Sequence, residues 1–167
     1  AKKLSFYAPR SKQILLDWID SVNIDWPISR RRYYATEIPL WHDNENDYTA
    51  LAPKGKYYRP WKEQPPKEAV VFKKNKQIGL VKDFKKSKWV GETRVFDTWF
   101  DSSITPLYIL KYSKDNDFFK KSKPCSLRPQ GKEIVRTWLY YTVLKDYLLT
   151  GELIFEDVWI NYHIVDD

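Results

Sequence analysis

The segment from Leu127 to Thr142, LRPQGKEIVRTWLYYT, decides the fold of this chain. Cys125 to Leu127 is predicted to be a strand, which runs into the turn Arg128-Pro129-Gln130-Gly131. After the turn, apolar residues recur from Lys132 to Leu149 with the spacing of a helix, and Gly151 is a suitable C-terminal stop. The segment therefore predicts a strand, a turn and a long helix in succession.

The same alternation continues on both sides of this segment. Arg94 to Phe100 is predicted to be a buried strand, Thr105 to Tyr112 a short helix, and Val158 to Val165 a final strand. Strands that alternate with helices in this way are typical of a parallel sheet with helices packed against it. The second half of the chain therefore predicts an α/β fold.

The first half of the chain is less regular. Ser11 to Val22 predicts an amphipathic helix, and Tyr33 to Trp41 is predicted to be extended. His42 to Glu68 is polar and rich in proline, which is typical of a long irregular connector. Ala69 to Lys73 and Gln77 to Phe84 are rich in Val, Ile and Phe around a Lys-Asn-Lys turn, so they predict a β-hairpin.

The composition limits the class of protein. The 167 residues are 43% hydrophobic, which is enough for a folded core. No apolar run approaches the ~20 residues needed to cross a bilayer, and the first residues lack a signal-peptide core, so we expect a cytoplasmic protein. The single cysteine, Cys125, excludes an internal disulfide and a cysteine-cluster zinc site. The formal charge of +7 favours a polyanionic partner, although a solvated lysine-rich surface would give the same charge.

Two strand-to-helix turns, Phe96 to Ser103 and Arg128 to Ile134, carry the candidate functional residues. In an open parallel sheet, ligands bind just beyond the carboxyl ends of the strands, beside helix N-termini. Gly131 has no Cβ and would let a ligand approach the backbone, while the Glu133 carboxylate can accept hydrogen bonds from two sugar hydroxyls. The pattern suits a ribose, although a carboxylate in a first helical turn is also explained by compensation of the helix dipole.

A small apolar pocket is the second candidate feature. Ile134 and Trp138 are one helical turn apart and share a face, and Trp99 from the other turn could complete a wall around a small apolar ligand. Core packing is the alternative explanation, since apolar pairs at this spacing are common in buried helices.

Four segments resemble, in this order, successive motifs of the valyl-tRNA synthetase family of class I aminoacyl-tRNA synthetases: DWPISRRRYYATEIPLW (Asp25 to Trp41), VFDTWFDSS (Val95 to Ser103), LRPQGKEIVRTWLYYT (Leu127 to Thr142) and VWINYHIVDD (Val158 to Asp167). Together with the helix before Asp25 they span nearly the whole chain. The third segment is more specific than any general class I signature.

The resemblance implies the second half of a Rossmann-type nucleotide-binding domain, a parallel sheet with flanking helices and an irregular or β-hairpin insertion. Residues 1–41 would be the entry helix and junction segment, residues 42–93 a connective insertion with the hairpin, and residues 94–167 the second half of the Rossmann-type catalytic domain. The editing insertion of this family would lie outside the chain.

The resemblance also implies residue roles. The residues that hold ATP would be Gly131, Glu133, Asn161 and His163. The residues that enclose the valine side chain would be Trp99, Ile134 and Trp138. Arg30 and Arg32 match an SRxR element that either contacts the tRNA acceptor end or forms structural ion pairs, and we favour the structural role.

The sequence departs from the family pattern in three respects. The HIGH and KMSKS motifs are absent, so no residue here is expected to be directly catalytic, and the isolated chain is expected to be inactive. Residues 42–61 lack the cysteine pairs of many relatives, so no zinc is expected. Tyr162 stands where a glycine is common beside the nucleotide.

The parent protein implied by the resemblance is a valine–tRNA ligase. It would use valine, ATP with Mg²⁺, and tRNA(Val), without a membrane or DNA as a partner. Two other functions stay open: a non-catalytic synthetase-like paralogue that binds RNA or a protein partner, and a small nucleotide-binding module.

Overall fold

The computed structural model describes residues 3–166. Its helices and strands follow in the order β1 (Ser5–Phe6), α1 (Pro9–Ser21), β2 (Ser29–Arg30), β3 (Leu40–Asp43), β4 (Tyr48–Leu51), β5 (Val70–Lys73), β6 (Lys76–Leu80), β7 (Val90–Gly91), β8 (Val95–Phe96), α2 (Thr98–Ser102), α3 (Thr105–Ile109), α4 (Asn116–Ser122), β9 (Cys125–Gly131), α5 (Tyr140–Thr150) and β10 (Phe155–Asn161). They form two compact units. Unit 1 comprises the residues up to Trp26 and those from Thr98 onwards, and unit 2 comprises Pro27–Asp97.

Unit 1 contains a three-stranded parallel sheet in the order β1-β10-β9. Alternate apolar residues of β10 (Val158 and Ile160) are buried in its core, and Leu15 of α1 and Leu139 join them there. Burial of this alternating pattern is what fixes the register of the strand. The predicted α/β fold class with a parallel sheet and packed helices is confirmed.

The helical segment after β9 begins with irregular turns. Lys132–Ile134 is a 3₁₀ turn, Val135–Leu139 is a wide π-type turn, and the regular helix α5 follows. Gly151 then ends α5 with a left-handed φ of 74°, which costs a glycine little. The predicted helix from Lys132 to Leu149 is therefore confirmed in extent but not in regularity, and single π turns of this kind are frequent at functional sites.

Two other predicted elements of unit 1, a helix and the final strand, have different ends in the structure. The helix predicted from Ser11 to Val22 is confirmed as α1, which begins at Pro9 because proline suits a first helical position. The final strand predicted from Val158 to Val165 is shifted. It runs from Phe155 to Asn161, because its apolar residues pair with β9 there, and the residues after it are exposed.

Unit 2 contains a five-stranded antiparallel sheet in the order β6-β5-β4-β3-β7. Its core consists of Trp41, Ala50, Tyr58, Ala69 and Val71. The predicted β-hairpin is confirmed as β5 and β6. Its two turn residues, Lys74 and Asn75, have positive φ angles of 47° and 63°, as a tight two-residue hairpin turn requires.

Two predictions for unit 2 are wrong in part. The segment from His42 to Glu68 is not wholly irregular, because β3 and β4 form a hairpin whose turn is held by the Asp43 carboxylate, which accepts hydrogen bonds from the backbone amides of Glu45 (3.1 Å) and Asn46 (3.3 Å). The segment from Tyr33 to Trp41 forms a strand only from Leu40, and its two tyrosines lie in solvent.

The strand predicted from Arg94 to Phe100 is also wrong in part. Only Val95–Phe96 is a strand, and it pairs antiparallel with Ser29–Arg30 in unit 2 rather than with the parallel sheet. A helix, α2, begins at Thr98, so Trp99 lies on a helix and not at the carboxyl end of a parallel strand. The division of the chain at residues 41 and 93 into catalytic segments and an insertion stays a prediction.

Candidate nucleotide and amino-acid site

The carboxyl ends of β9 and β10 lie side by side at one edge of the parallel sheet. Gly131 ends β9 and is directly opposite Asn161, which ends β10. A Cβ at Gly131 would overlap the carboxylate of Glu133, so the glycine makes room for that side chain, which folds back over the strand end. Two residues predicted to hold the nucleotide are therefore in contact, and a third is their neighbour across the sheet.

Glu133 and His163 meet beyond these strand ends. The His163 Nε2 atom lies 3.1 Å from the Glu133 Oε2 atom, although 30 residues separate them in the chain. The backbone amide of Glu133, and then His163, hold the pKa of this carboxyl below its usual value. A carboxylate that stays ionised and exposed is suited to accept hydrogen bonds from ligand hydroxyls.

A cavity of about 260 Å³ opens beside this pair. Besides Glu133 and His163, its lining residues are Ile14, Lys132 and Arg136. Lys132 and Arg136 are not among the predicted site residues. The signal that could have found them is their spacing of four on the helical segment that follows Gly131. Two positive charges next to a candidate ribose site suit the phosphate groups of a nucleotide.

Tyr162, the departure from the family pattern, is fixed in place beside the same site. Its hydroxyl lies 3.0 Å from the hydroxyl of Ser11 on α1, and the Lys132 Nζ atom is 5.2 Å from the centre of its ring. The ring is half-exposed. Tyr162 therefore ties the residue that follows β10 to α1 and lies next to Lys132, which lines the cavity.

Trp138 is fixed from two sides. Its indole N–H donates to the Ser102 carbonyl at 2.9 Å, and the Arg128 guanidinium stacks on its ring at 3.7 Å from the ring centre. Ser102 belongs to α2, the short helix that carries Trp99. The structure thus brings Trp138 against the helix of Trp99.

Ile134 lies at the start of the wide turn and is partly buried. Because Val135–Leu139 is a π-type turn, the spacing of Ile134 and Trp138 is not that of a regular α-helix, which corrects the assumption of a simple shared face. The convergence of Ile134, Trp99 and Trp138 on one valine side chain stays a prediction.

A buried polar cluster lies behind Trp138. Arg128 donates to the Thr142 hydroxyl at 2.8 Å, while neither carboxylate oxygen of Asp146 has a hydrogen-bond partner among the described residues. Burial raises the pKa of Asp146 to about 7, although Arg128 and Lys145 act against this shift. Burial also lowers the pKa of Arg128 to about 10. The cluster holds charge in the core at a cost in stability.

We expect this cost to appear as a pH dependence. Between the usual aspartate pKa of about 4 and the folded value, the folded chain holds a proton on Asp146 that the unfolded chain releases. The contribution of Asp146 to the free energy of unfolding is therefore fully present below pH ~4 and is lost as the pH rises to about 7. Denaturant unfolding of Asp146→Asn and of the unchanged chain at pH 4.5, 6 and 8 tests this. The free energy of unfolding of the variant should increase relative to that of the unchanged chain as the pH rises. The same pH dependence in both proteins would contradict the prediction.

The two arginines of the SRxR element differ in their surroundings. Arg30 forms an ion pair with the buried Asp97 carboxylate and donates to the Ser29 carbonyl at 2.9 Å. Arg32 is exposed and lines an open cavity of unit 2. The surroundings of Arg30 suit a structural role, and those of Arg32 do not.

Two features are absent from residues 3–166. None of the helices in this part of the chain is long and apolar enough to cross a membrane. Within the same residues, His, Cys, Asp and Glu side chains do not gather in threes as a metal-binding group. The expectation that zinc is not bound stays a prediction.

Comparison with known proteins defines the class. The model of the family described as tRNA synthetases class I (I, L, M and V) matches residues 1–167. The chain therefore belongs to this family, which confirms the resemblance, and its parallel sheet with flanking helices is the Rossmann-type fold expected of the class.

Within the class, the relatives are more specific. The chain is 48% identical over 165 residues to the valine–tRNA ligase of Pyrobaculum aerophilum, covering 96% of the chain and 19% of the relative. It is 48% identical over 167 residues to that of Nanoarchaeum equitans (96% and 20%) and 44% identical over 161 residues to that of Aeropyrum pernix (96% and 18%). The chain thus spans about a fifth of the length of these relatives.

Proposed function

We propose that this chain is part of a valine–tRNA ligase, which activates valine with ATP and transfers the valyl group to tRNA(Val). The relatives named valine–tRNA ligase support this proposal over nearly the whole chain. The observation that carries the chemistry is the meeting of Gly131, Glu133 and His163 at the carboxyl edge of the parallel sheet, one turn before Trp138. We also propose a cytoplasmic location, with no zinc in this chain.

In the activation step, a valine carboxylate oxygen attacks the α-phosphorus of ATP, the new phosphorus–oxygen bond forms, and pyrophosphate leaves with Mg²⁺ as part of the nucleotide substrate. The share of this chain is to align the reactants. Glu133 and His163 bind the ribose side of ATP, Gly131 and Asn161 bring the backbone close to it, and Lys132 and Arg136 attract its phosphates. The valine side chain packs on Trp138 with Trp99 and Ile134.

The chain supplies positioning and not the groups that stabilise the pentavalent phosphorus. Class I enzymes use the HIGH and KMSKS motifs there, which these 167 residues do not contain. We therefore expect the isolated chain to be inactive. Valine-dependent exchange of pyrophosphate into ATP by the full-length protein is the direct test, with isoleucine, leucine and threonine as competitors. Exchange that is faster with another amino acid than with valine would overturn the assignment of valine.

Glu133→Ala tests the ribose role in the full-length protein. Loss of one charged acceptor removes about 1.5 kcal/mol of hydrogen bonding, so the KM for ATP should rise about tenfold while the KM for valine changes little. Glu156→Ala is the matched control, because Glu156 is an exposed carboxylate on β10 away from the strand end. Equal ATP affinity of Glu133→Ala and the control would remove Glu133 from the ATP site.

A second candidate function is that of a non-catalytic synthetase-like protein that binds RNA. The net charge of +7 and the exposed side chains of Tyr33 and Tyr34 favour it. Pyrophosphate exchange separates the two candidates, because RNA binding without exchange by the full-length protein would leave only the second.

A further inference from the structure

Unit 2 contains an open cavity of about 480 Å³ that the proposed nucleotide and valine sites do not use. We name it the arginine-aromatic cavity and define it by its lining residues Arg31, Arg32, Tyr33, Glu37, Trp61, Thr93, Arg94 and Val95. These residues come from the irregular segment after β2, from the connection between β4 and β5, and from the residues just before and in β8. The cavity is therefore built from three separate parts of one compact unit.

The aromatic side chains at this cavity are unusually exposed. Tyr33 is 98% exposed and its neighbour Tyr34 is 92% exposed, while Trp61 is 49% exposed. A single exposed aromatic residue on a protein surface requires no explanation, but several beside a cavity mark a binding surface. Flat rings that are open on their faces can stack on nucleic-acid bases.

The cavity also carries positive charge that residues 3–166 do not neutralise. Arg94 is paired with Glu92 through two hydrogen bonds, and Arg59 lies 3.6 Å from the Glu37 carboxylate. In contrast, Arg31 and Arg32 are exposed and have no hydrogen bond or ion pair within residues 3–166. Glu37, the acidic residue among those that line the cavity, is thus paired with Arg59, which does not line it. The two unmatched guanidinium groups remain available for an anionic ligand.

We propose that the arginine-aromatic cavity binds a single-stranded segment of RNA, with phosphates at Arg31 and Arg32 and a base stacked on Tyr33. Arginine with exposed aromatic rings is the combination that recognises single strands, because the guanidinium groups bind phosphates and the rings stack on unpaired bases. This inference rests on the proposed function, which supplies tRNA as the RNA. We assign the RNA contact to Arg31 and Arg32 rather than to Arg30, because the Arg30 guanidinium already forms an ion pair with Asp97.

The charge contribution is tested with Arg31→Glu/Arg32→Glu in the full-length protein. The dissociation constant for a tRNA(Val) transcript should rise at least about tenfold, and the slope of log affinity against log salt should fall by about 1.4, the value for two single-strand phosphates. Valine-dependent pyrophosphate exchange should not change, because it needs no tRNA. Lys85→Glu/Lys86→Glu is the matched control, since it makes the same charge change at two exposed lysines of unit 2 outside the cavity.

The stacking contribution is tested separately at Tyr33. Tyr33→Ala should weaken binding of the transcript, and of a single-stranded 12-nucleotide oligouridine, about tenfold, whereas Tyr33→Phe keeps the ring and should bind normally. Base stacking is sequence-tolerant, so the oligouridine reports the cavity without other tRNA contacts.

Three outcomes would overturn the inference without affecting the proposed function. The first is an unchanged affinity of the arginine variant for tRNA(Val), and the second is an equal loss of affinity in the lysine control. The third is a fall of several degrees in the Tm of the arginine variant together with slower pyrophosphate exchange, which would show that these residues pack against another part of the protein. Absence of valine-dependent exchange in the unchanged protein would instead overturn the proposed function itself.

Discussion

Replacement of Trp138 by alanine in the full-length protein is expected to raise the KM for valine about 30- to 150-fold. Removal of the indole takes away apolar contact worth about 2–3 kcal/mol to a small hydrophobic ligand. The turnover number should change less, because the proposed wall would contact valine equally in the ground state and in the transition state. Discrimination against larger side chains should weaken, since the enlarged pocket admits them.

The geometry of Trp138 makes this prediction specific. One ring face is covered by Arg128, and the indole N–H is used by Ser102. The side chain therefore has a fixed orientation, and a pocket wall that does not move is what selects a small side chain by shape. Trp138→Phe keeps a ring over Arg128 but loses the bond to Ser102, so it should show a smaller rise in KM than Trp138→Ala.

Trp159→Ala is the matched control for this experiment. Trp159 lies in the same unit, on β10, and is 54% exposed. Among the residues that the structure describes, its ring contact is an edge contact with Tyr7, at 5.8 Å between ring centres. Its loss should leave the KM for valine unchanged. A normal valine KM in Trp138→Ala, together with a lowered Tm, would mean that Trp138 only packs the core around Arg128.

Local signals predicted the parts of the fold that depend on neighbours in sequence. The spacing of Leu15 with the apolar residues around it predicted α1, the Lys74-Asn75 turn predicted the hairpin of β5 and β6, and Gly151 predicted the end of α5. Each of these features is decided by one helical face or one turn conformation, which the sequence displays directly.

The parts that were missed depend on long-range pairing. The four-residue strands β3 and β4 carry only two buried side chains of the core, Trp41 and Ala50, and the polar residues around them concealed the hairpin. The apolar residues Val95, Phe96, Trp99 and Phe100 predict a longer strand. The observed strand stops after two residues, where the short pairing with β2 ends and a helix begins at Thr98.

The candidate site shows the same limit. The spacing of Gly131 and Glu133 is local, and the sequence displayed it, whereas His163 entered only through the resemblance to the family. The sequence could not reveal that Arg128 and Asp146 share a buried cluster, because nothing local distinguishes a buried aspartate from an exposed one. Burial of charge is a property of the assembled core.

Trp41→Ala is expected to reduce the free energy of unfolding of unit 2 by about 3–5 kcal/mol. Trp41 is fully buried, its indole N–H donates to the Glu63 carbonyl at 2.7 Å, and Tyr58 packs edge-on against it at 6.0 Å between ring centres. Alanine would leave a large cavity in a core of only a few residues and an unpaired carbonyl.

Hydrogen exchange at the backbone amides of Ala50 and Val71 measures this loss where it occurs, since both residues pack in the same core. Trp61→Ala is the matched control, because it removes the same side chain from the surface of the same unit and should cost less than ~1 kcal/mol. The difference between the two losses of stability measures the effect of burial, because the same residue type is removed in both variants. If both variants lost equal protection at Ala50 and Val71, the sheet would not depend on Trp41 as its main apolar contact, and the core assigned to unit 2 would be incorrect.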